Sequence, residues 1–213
     1  MEEMFEGVYK EGSRIFTKNL TPGKKVYNEK LVKKGKVEYR SWNPYRSKMA
    51  AAILKGLKKF PIKGDSRILY LGVASGTTAS HFSDIAIEGI IYGVEVAFKP
   101  MKNFIKLCKE RKNMMPILAD ANKPEKYDAI VESVDVVYQD IAQRNQVEIF
   151  IKNMERYEPK NGIIMIKARS IDISMKPSKV FEMVKQQIRQ HYKIEEAIKL
   201  APYAKDHIAI LVK

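Results

Sequence analysis

The sequence predicts an α/β protein: a seven-stranded, mostly parallel sheet with helices on both faces, ended by a C-terminal antiparallel hairpin and preceded by a small antiparallel β module. Three features of the chain require it. After Gly64, short apolar runs alternate with amphipathic stretches, the pattern of successive β–α units. The last two strand-like runs have no helix between them, so they must pair antiparallel. Before Tyr45, the alternation has period two and is broken by turn residues, as in a set of hairpins.

In chain order, Phe5 to Arg40 reads as the antiparallel module, with "TPGKK" and "KKGK" as turns. "RSKMAAAILKGLKKF" carries apolar residues at helical spacing, with Pro61 just beyond it, so a helix is expected across most of that stretch. The strands then follow as "RILYLGV", "IIYGVEV", "MMPILAD", "VDVVYQD" and "GIIMIKA". "TTASHFSDIA", "PMKNFIKLCKERK", "QVEIFIKNMERY" and "KVFEMVKQQIRQHY" supply helices, and "KPEKYDAIV" is a short connection. "KIEEAIKL" and "HIAILVK", joined by "APYAKD", form the closing hairpin. The expected division is residues 1–45 for the small module and 46–213 for the main domain. Trp42, the one tryptophan, is expected at the packing between them, with nucleobase stacking as the alternative.

The 213 residues carry 39 Lys and Arg against 25 Asp and Glu, a net charge of +14. Residues 1–64 hold 16 of these cations and 6 of the acids, so only +4 remains for the rest of the chain. A folded chain with such an excess suits a polyanionic partner. Cys108 is the single cysteine and excludes an intrachain disulfide, and it reads as a buried helical thiol. The acidic start and the lack of a long apolar run give no sign of a leader or membrane span, so an intracellular, cytoplasmic protein without a membrane partner is expected.

The stretch "ILYLGVASGTTAS" is a buried strand that breaks into a glycine turn and opens a helix. Such turns let backbone N–H groups approach a ligand that a Cβ would keep away. Gly72 and Gly76 match neither the Gly-Lys-Ser/Thr ending of a triphosphate loop nor G-x-G-x-x-G. Glu95 ends the second strand of the main domain, 19 residues beyond Gly76, where a carboxylate accepts from ribose hydroxyls in this fold class. Asp120 closes the third, placed for an exocyclic adenine amine. Each acid alone reads equally well as a loop or cap carboxylate. The ordered set of glycine turn and two strand-end acids suits an adenosine ligand without a large phosphate group. With the terminal hairpin it points to S-adenosyl-L-methionine and the class I, Rossmann-like methyltransferase fold.

The catalytic candidates follow from topology. Asp140 ends the fourth strand of the main domain, Lys167 lies near the end of the fifth, and His207 begins the last. If the last strand runs antiparallel beside the fifth, all three converge on the edge where open α/β sheets bind ligands.

"YRSWNPYRSKMAAAIL", "LGVASGTTASHFSD", "YGVEV", "ADANKPEKY", "VDVVYQDIAQ", "IKARSID" and "PYAKDHIAILV" resemble, in order, the motifs of fibrillarin, the 2′-O-ribose methyltransferase of C/D-box guide-RNA particles. The glycine- and arginine-rich extension of the eukaryotic form is missing, so the resemblance is to the archaeal form. It implies cofactor contacts at Thr77, Thr78, Glu95, Val96, Asp120, Ala121, Asp140, Ile141, Ala142 and Gln143, with Gly72, Ala74 and Gly76 in the turn that cradles the methionine end. It adds Lys48 to Asp140, Lys167 and His207 as a catalytic tetrad, and no metal is expected. The implied partners are a C/D-box guide RNA, the ribosomal or transfer RNA it selects, a Nop-domain scaffold protein and a kink-turn-binding ribosomal-type protein.

A ribose 2′-hydroxyl is a poor nucleophile, so the site must align it and weaken its hold on the proton. Lys167 is assigned to holding or deprotonating the hydroxyl, Asp140 to orienting Lys167, and Lys48 and His207 to positioning the ribose-phosphate. A neighbouring carboxylate raises a lysine pKa, which suits an orienting Lys167 at least as well as a basic one. A non-catalytic RNA-binding subunit, or a methyltransferase acting on an RNA base or a small molecule, are the competing functional classes.

Overall fold

The computed structural model describes all 213 residues. Five short strands, β1 (Glu2–Phe5), β2 (Val8–Glu11), β3 (Arg14–Lys18), β4 (Leu31–Lys34) and β5 (Val37–Ser41), form an antiparallel sheet in the order β1-β2-β3-β5-β4. Tight turns at Gly7, Gly12 and Gly35, all at positive φ, close its hairpins.

Helix α1 (Lys48–Leu54) then leads into the main sheet. It is shorter than its apolar periodicity predicts. Gly56 sits at φ +95° and its N–H bonds Ile53 O, while Leu57 N–H bonds Ala52 O, which closes the helix in a Schellman motif before the remaining apolar positions can join it.

The main sheet contains β6 (Arg67–Leu71), β7 (Ile90–Glu95), β8 (Met114–Leu118), β9 (Val136–Gln139), β10 (Asn161–Lys167), β11 (Ile194–Lys199) and β12 (His207–Val212). Their order is β11-β12-β10-β9-β6-β7-β8, with β12 antiparallel to both its neighbours and the other pairings parallel. Helices α2 (Thr77–Ile85), α3 (Phe98–Glu110), α4 (Gln146–Tyr157), α5 (Ala168–Ile171) and α6 (Pro177–Arg189) connect the strands. The four-residue α5 and a 3₁₀ turn at Pro124–Lys126 have too few residues to leave a periodic trace in the sequence.

Period-two alternation divides each central strand between two apolar layers. Ile68, Tyr70, Val136 and Tyr138 join a cluster with α1, α2, α3 and the small sheet, including Val8, Ile15 and Trp42. Leu69, Leu71 and Val137 face α4 and α6 in the other. Strand order reverses between β7 and β9 on either side of β6, so loops after β6 and β9 diverge and leave a crevice at their carboxyl ends.

Candidate active site

The turn after β6 is shaped by close backbone approach. Gly72 has φ +77°, and a Cβ there would lie 2.6 Å from Asp140 O, so only glycine lets the β6 and β9 loops come together. Gly76, at φ +88°, caps α2, and a Cβ on it would meet Phe104 and Leu107 of α3 at 2.7 and 2.8 Å. Its glycine is required for helix packing.

Between these positions, Ala74 N–H donates to Glu95 Oε2 at 3.0 Å, while Ala97 N–H donates to Oε1 at 2.9 Å. The Glu95 carboxylate is thereby fixed at the mouth of the crevice with lone pairs to spare. Asp120 accepts from the backbone and side-chain amides of Asn122, at 2.9 and 3.0 Å, and those hydrogen bonds hold its carboxyl below the usual carboxylate range. These residues line a cleft of about 270 Å³ together with Gly72, Val96, Ala121, Asp140, Ile141, Ala142 and Gln143.

Every residue assigned to the cofactor from the sequence lies on this cleft except Gly76, Thr77 and Thr78. Thr78 is buried and donates to Ser47 Oγ at 2.9 Å. Thr77 lines a separate cavity beside Arg46 and Ser75.

The tetrad residues come from four elements. Ser47 caps α1 and accepts from Thr78, which anchors the first residue of that helix, Lys48, against α2. Lys48 Nζ donates to both oxygens of Asp140, at 2.7 and 2.8 Å. Lys167 and His207 face each other across the antiparallel β10–β12 pairing, which meets the condition under which they share one edge. Gln146 Oε1 accepts from Lys167 N–H at 3.0 Å and fixes the end of β10.

The assignment of Asp140 as the group that orients Lys167 is corrected by this geometry. Asp140 closes on Lys48, and Lys167 Nζ makes no ion pair or hydrogen bond. The reason is positional: α1 packs on β12 and is anchored at its start by the Ser47–Thr78 bond, so its first residue, Lys48, reaches the Asp140 carboxylate.

His207 Nδ1 lies 2.6 Å from Lys205 O. A carbonyl only accepts, so Nδ1 carries the proton and Nε2 of the neutral ring is a bare acceptor. Burial pushes the His207 pKa below its ordinary value; the Lys205 carbonyl and Asp140 oppose the shift, and Lys48 and Lys167 add to it.

A second polar cluster has no signal in the sequence. At the seam between the small sheet and the main domain, Asp84 of α2 accepts from Arg40, Arg111 and Thr17, at 2.8, 2.6 and 2.7 Å. Arg40 also pairs with Glu29 at 2.7 Å, and the side chains of all four charged residues are fully buried. Thr17 gives its proton to Asp84, so His81 Nδ1 donates to Thr17 Oγ1 at 2.7 Å and His81 Nε2 faces the Tyr27 hydroxyl at 2.7 Å. Burial, reinforced by Arg40 and Arg111, pushes the His81 pKa well down and keeps the ring neutral. Trp42 stacks on this ring at 4.9 Å and is 1% exposed, which makes it a packing residue and leaves no face for a nucleobase. Isolated polar letters such as Arg40 and Asp84 look like surface residues until the two sheets meet.

No group of three or more His, Cys, Asp or Glu side chains is arranged to hold a metal ion, and no helix is long and apolar enough to cross a membrane. The seven-stranded sheet with its reversed last strand, and the cleft at its topological switch point, define a Rossmann-like methyltransferase fold. A methyltransferase of Aquifex aeolicus dependent on S-adenosylmethionine shares that fold at 11% identity, with a TM-score of 0.53 over 72% of this chain and 84% of its own.

The chain belongs to the fibrillarin family: the family model for fibrillarin matches residues 1–213. It is 50% identical over 216 residues to the fibrillarin-like rRNA/tRNA 2′-O-methyltransferase of Methanocaldococcus jannaschii, covering 98% of this chain and 94% of that one. The solved fibrillarin of that organism superposes with a TM-score of 0.94 at 49% identity, over 99% of this chain and 95% of the other. Aeropyrum pernix fibrillarin, solved with natively bound S-adenosyl-L-methionine, gives 0.87 at 45% identity over 94% and 89%. A fibrillarin solved in complex with Nop5p gives 0.90 at 46% identity over 97% of both chains.

Proposed function

We propose that the chain is an S-adenosyl-L-methionine-dependent RNA 2′-O-methyltransferase, the catalytic subunit of a C/D-box guide-RNA particle that modifies ribosomal and transfer RNA. The observation that carries this reading is the adjacency, in a fibrillarin-family chain, of an adenosine-sized cleft and a lysine–carboxylate–lysine–histidine edge.

The cleft residues fit the cofactor. Glu95 retains lone pairs for ribose hydroxyls, Asp120 faces the cleft as an acceptor for an amine, and the cradle at Gly72 is a space that any side chain would fill. Val96, Ala121 and Ile141 supply apolar walls, and Ala142 and Gln143 complete the rim. No side chain caps the first-turn amides of α2, which gives Thr77 and Thr78 a place in the set through the positive end of that helix. S-adenosyl-L-methionine supplies a methyl group activated by a sulfonium sulfur.

The chain's own groups prepare the acceptor. Lys48, locked on Asp140, and the unpaired Lys167 place two cations where a ribose-phosphate must lie. His207 Nε2 is the group placed to take the hydroxyl proton, because its ring is kept neutral by burial and its other nitrogen is committed to Lys205 O. Alignment of the hydroxyl for in-line transfer, with reacting atoms about 3–3.5 Å apart, supplies much of the remaining acceleration.

The division into a small β module, residues 1–45, and a methyltransferase domain, residues 46–213, is supported by the two separate sheets. The proposed partners are a Nop-domain scaffold protein, a kink-turn-binding ribosomal-type protein, the guide RNA and its RNA target. The first is supported by the fibrillarin solved with Nop5p, and the RNAs by the basic excess of residues 1–64. Fibrillarin-like relatives from archaea support a cytoplasmic place of action.

The test is reconstitution with guide RNA, scaffold and labelled cofactor, followed by mapping of the methyl group. Methylation is expected at one guide-paired nucleotide and should vanish when that nucleotide is made 2′-deoxy. Persistence of the label on the 2′-deoxy substrate would assign the methyl group to a base and defeat the ribose mechanism.

A further inference from the structure

We propose that Tyr45, Arg46, Tyr203 and Lys205 form a docking wall for the sugar-phosphate backbone of the acceptor RNA, beside the nucleotide that is methylated. The proposal rests on the reading above. Two elements bring tetrad residues to the edge at their first positions: α1 begins with Lys48, and β12 begins with His207. Each is preceded within four residues by an aromatic residue and a cation, Tyr45 and Arg46 before Lys48 and Tyr203 and Lys205 before His207. The two rings meet across the gap edge-to-face, with centroids 5.2 Å apart and planes at 75°.

Tyr203 is half-buried against the apolar cluster beneath α1 and acts as a strut. Tyr45 is 69% exposed, an unusual state for a ring that is also held in place. Its backbone is fixed by Asn43, whose Oδ1 accepts from Tyr45 N–H at 2.9 Å and whose backbone oxygen accepts from Arg46 N–H at 3.1 Å. Neither tyrosine hydroxyl, nor the Arg46 guanidinium, nor the Lys205 ammonium has a hydrogen-bond or ion-pair partner within the chain. The adjacent acid, Asp206, is occupied by Arg169 at 3.2 Å.

An ordered apolar ring flanked by free cations fits RNA better than a protein surface. The ring face packs on ribose C–H groups, and the cations take the phosphates on either side. Continuity with the tetrad fixes the occupant: a scaffold protein seated here would cover the groups that must reach the ribose. A paired acceptor strand keeps its bases stacked and shows its riboses in the shallow minor groove, so the contact is with sugars and not with splayed bases.

The experiment uses the complete particle with guide and target RNA. Hydroxyl-radical footprinting reads protection of riboses next to the acceptor nucleotide, and single-turnover methylation is measured in parallel. With the wild type, those riboses should be protected. Tyr45→Ala should expose them and lower the single-turnover rate about tenfold, while Tyr45→Phe restores both, since the ring face and not the hydroxyl makes the contact. Cofactor affinity of the isolated chain, measured by calorimetry, should be the same for all three, which separates lost docking from a damaged fold. Arg46→Gln with Lys205→Gln should flatten the dependence of the rate on salt by a slope of about one to two, one counterion per lost phosphate contact. Tyr45→Ala retaining wild-type protection and rate would overturn the wall. Protected riboses without methylation in the wild type would defeat the enzymatic reading and leave the wall standing.

Discussion

Two charged clusters flank α2 and follow opposite rules. At the seam, Arg40, Glu29, Asp84 and Arg111 are fully buried, and both oxygens of Asp84 are held by guanidinium groups. At the sheet edge, Lys48 and Asp140 are paired but 28% and 18% exposed, and Lys167 Nζ has no partner. The first cluster spends its hydrogen-bonding capacity internally and holds the small sheet against α2. The second keeps capacity in reserve, as a site that must receive another molecule has to. α2 joins them, because Thr78 reaches the edge through Ser47 while Ser80, His81 and Asp84 serve the seam.

The largest stability effect is expected where the charges are fully buried and paired. Asp84→Ala leaves Arg40 and Arg111 buried with their shared carboxylate gone, a loss of about 3–5 kcal/mol in a denaturant titration. A loss under about 1 kcal/mol would show that water replaces the carboxylate and that the seam is less closed than its burial implies.

The edge should respond in the opposite currency of activity. Asp140→Asn keeps the shape but releases Lys48, and single-turnover methylation should fall by about 100-fold while the unfolding midpoint stays near that of the wild type. A large fall in the midpoint would make this pair a structural one and erase the contrast.

Acid separates the two histidines next. Both have lowered pKa values, and the sign is the same for each: the unfolded ring, with an ordinary value of 6.5, takes up a proton more readily than the folded one. Stability contributed by the neutral rings is therefore complete above pH 6.5 and declines as pH falls below it, at up to about 1.4 kcal/mol per pH unit for the buried His81 and less for the half-buried His207. His81 has the larger shift and should dominate the stability loss. The methylation rate should fall with protonation of His207, and His207→Gln should remove that limb of the profile. A rate profile unchanged by His207→Gln would take the ring out of proton transfer.

The smallest effect belongs to the exposed Lys34–Glu11 pair on the small sheet. Lys34→Ala should leave the denaturation curve unchanged within its error, because solvent screens both partners. A clear shift would mean that surface pairs on this sheet matter as much as the seam.

What could be read directly from the sequence was local in origin. The alternation after Gly64, the glycine turn, the acids ending β7 and closing the β8 unit, and the helix-free hairpin each arise within one or two elements. The hairpin placed His207 on the edge where β10 ends only on the condition that β12 lies beside β10, and the sheet order and the register Lys167–His207 came from the structure. Even a local signal failed where backbone geometry competed with it: Gly56 closed α1 at Leu54 although apolar spacing continued.

The sequence by itself determined the α/β order, the crevice at the strand ends and three of the charged residues near it, Asp140, Lys167 and His207, while Lys48 joined them through the family resemblance. Tertiary structure decided which of those residues touch. Lys48 and Asp140 lie 92 positions apart, and their pairing depends on how α1 packs on the sheet. Thr17 and Asp84 are 67 apart and meet only because the small sheet docks on α2. Periodicity is a property of backbone geometry and repeats along the chain, so it can be read from neighbours. Partner choice among buried charges is set by desolvation, which exists only after the surfaces have closed.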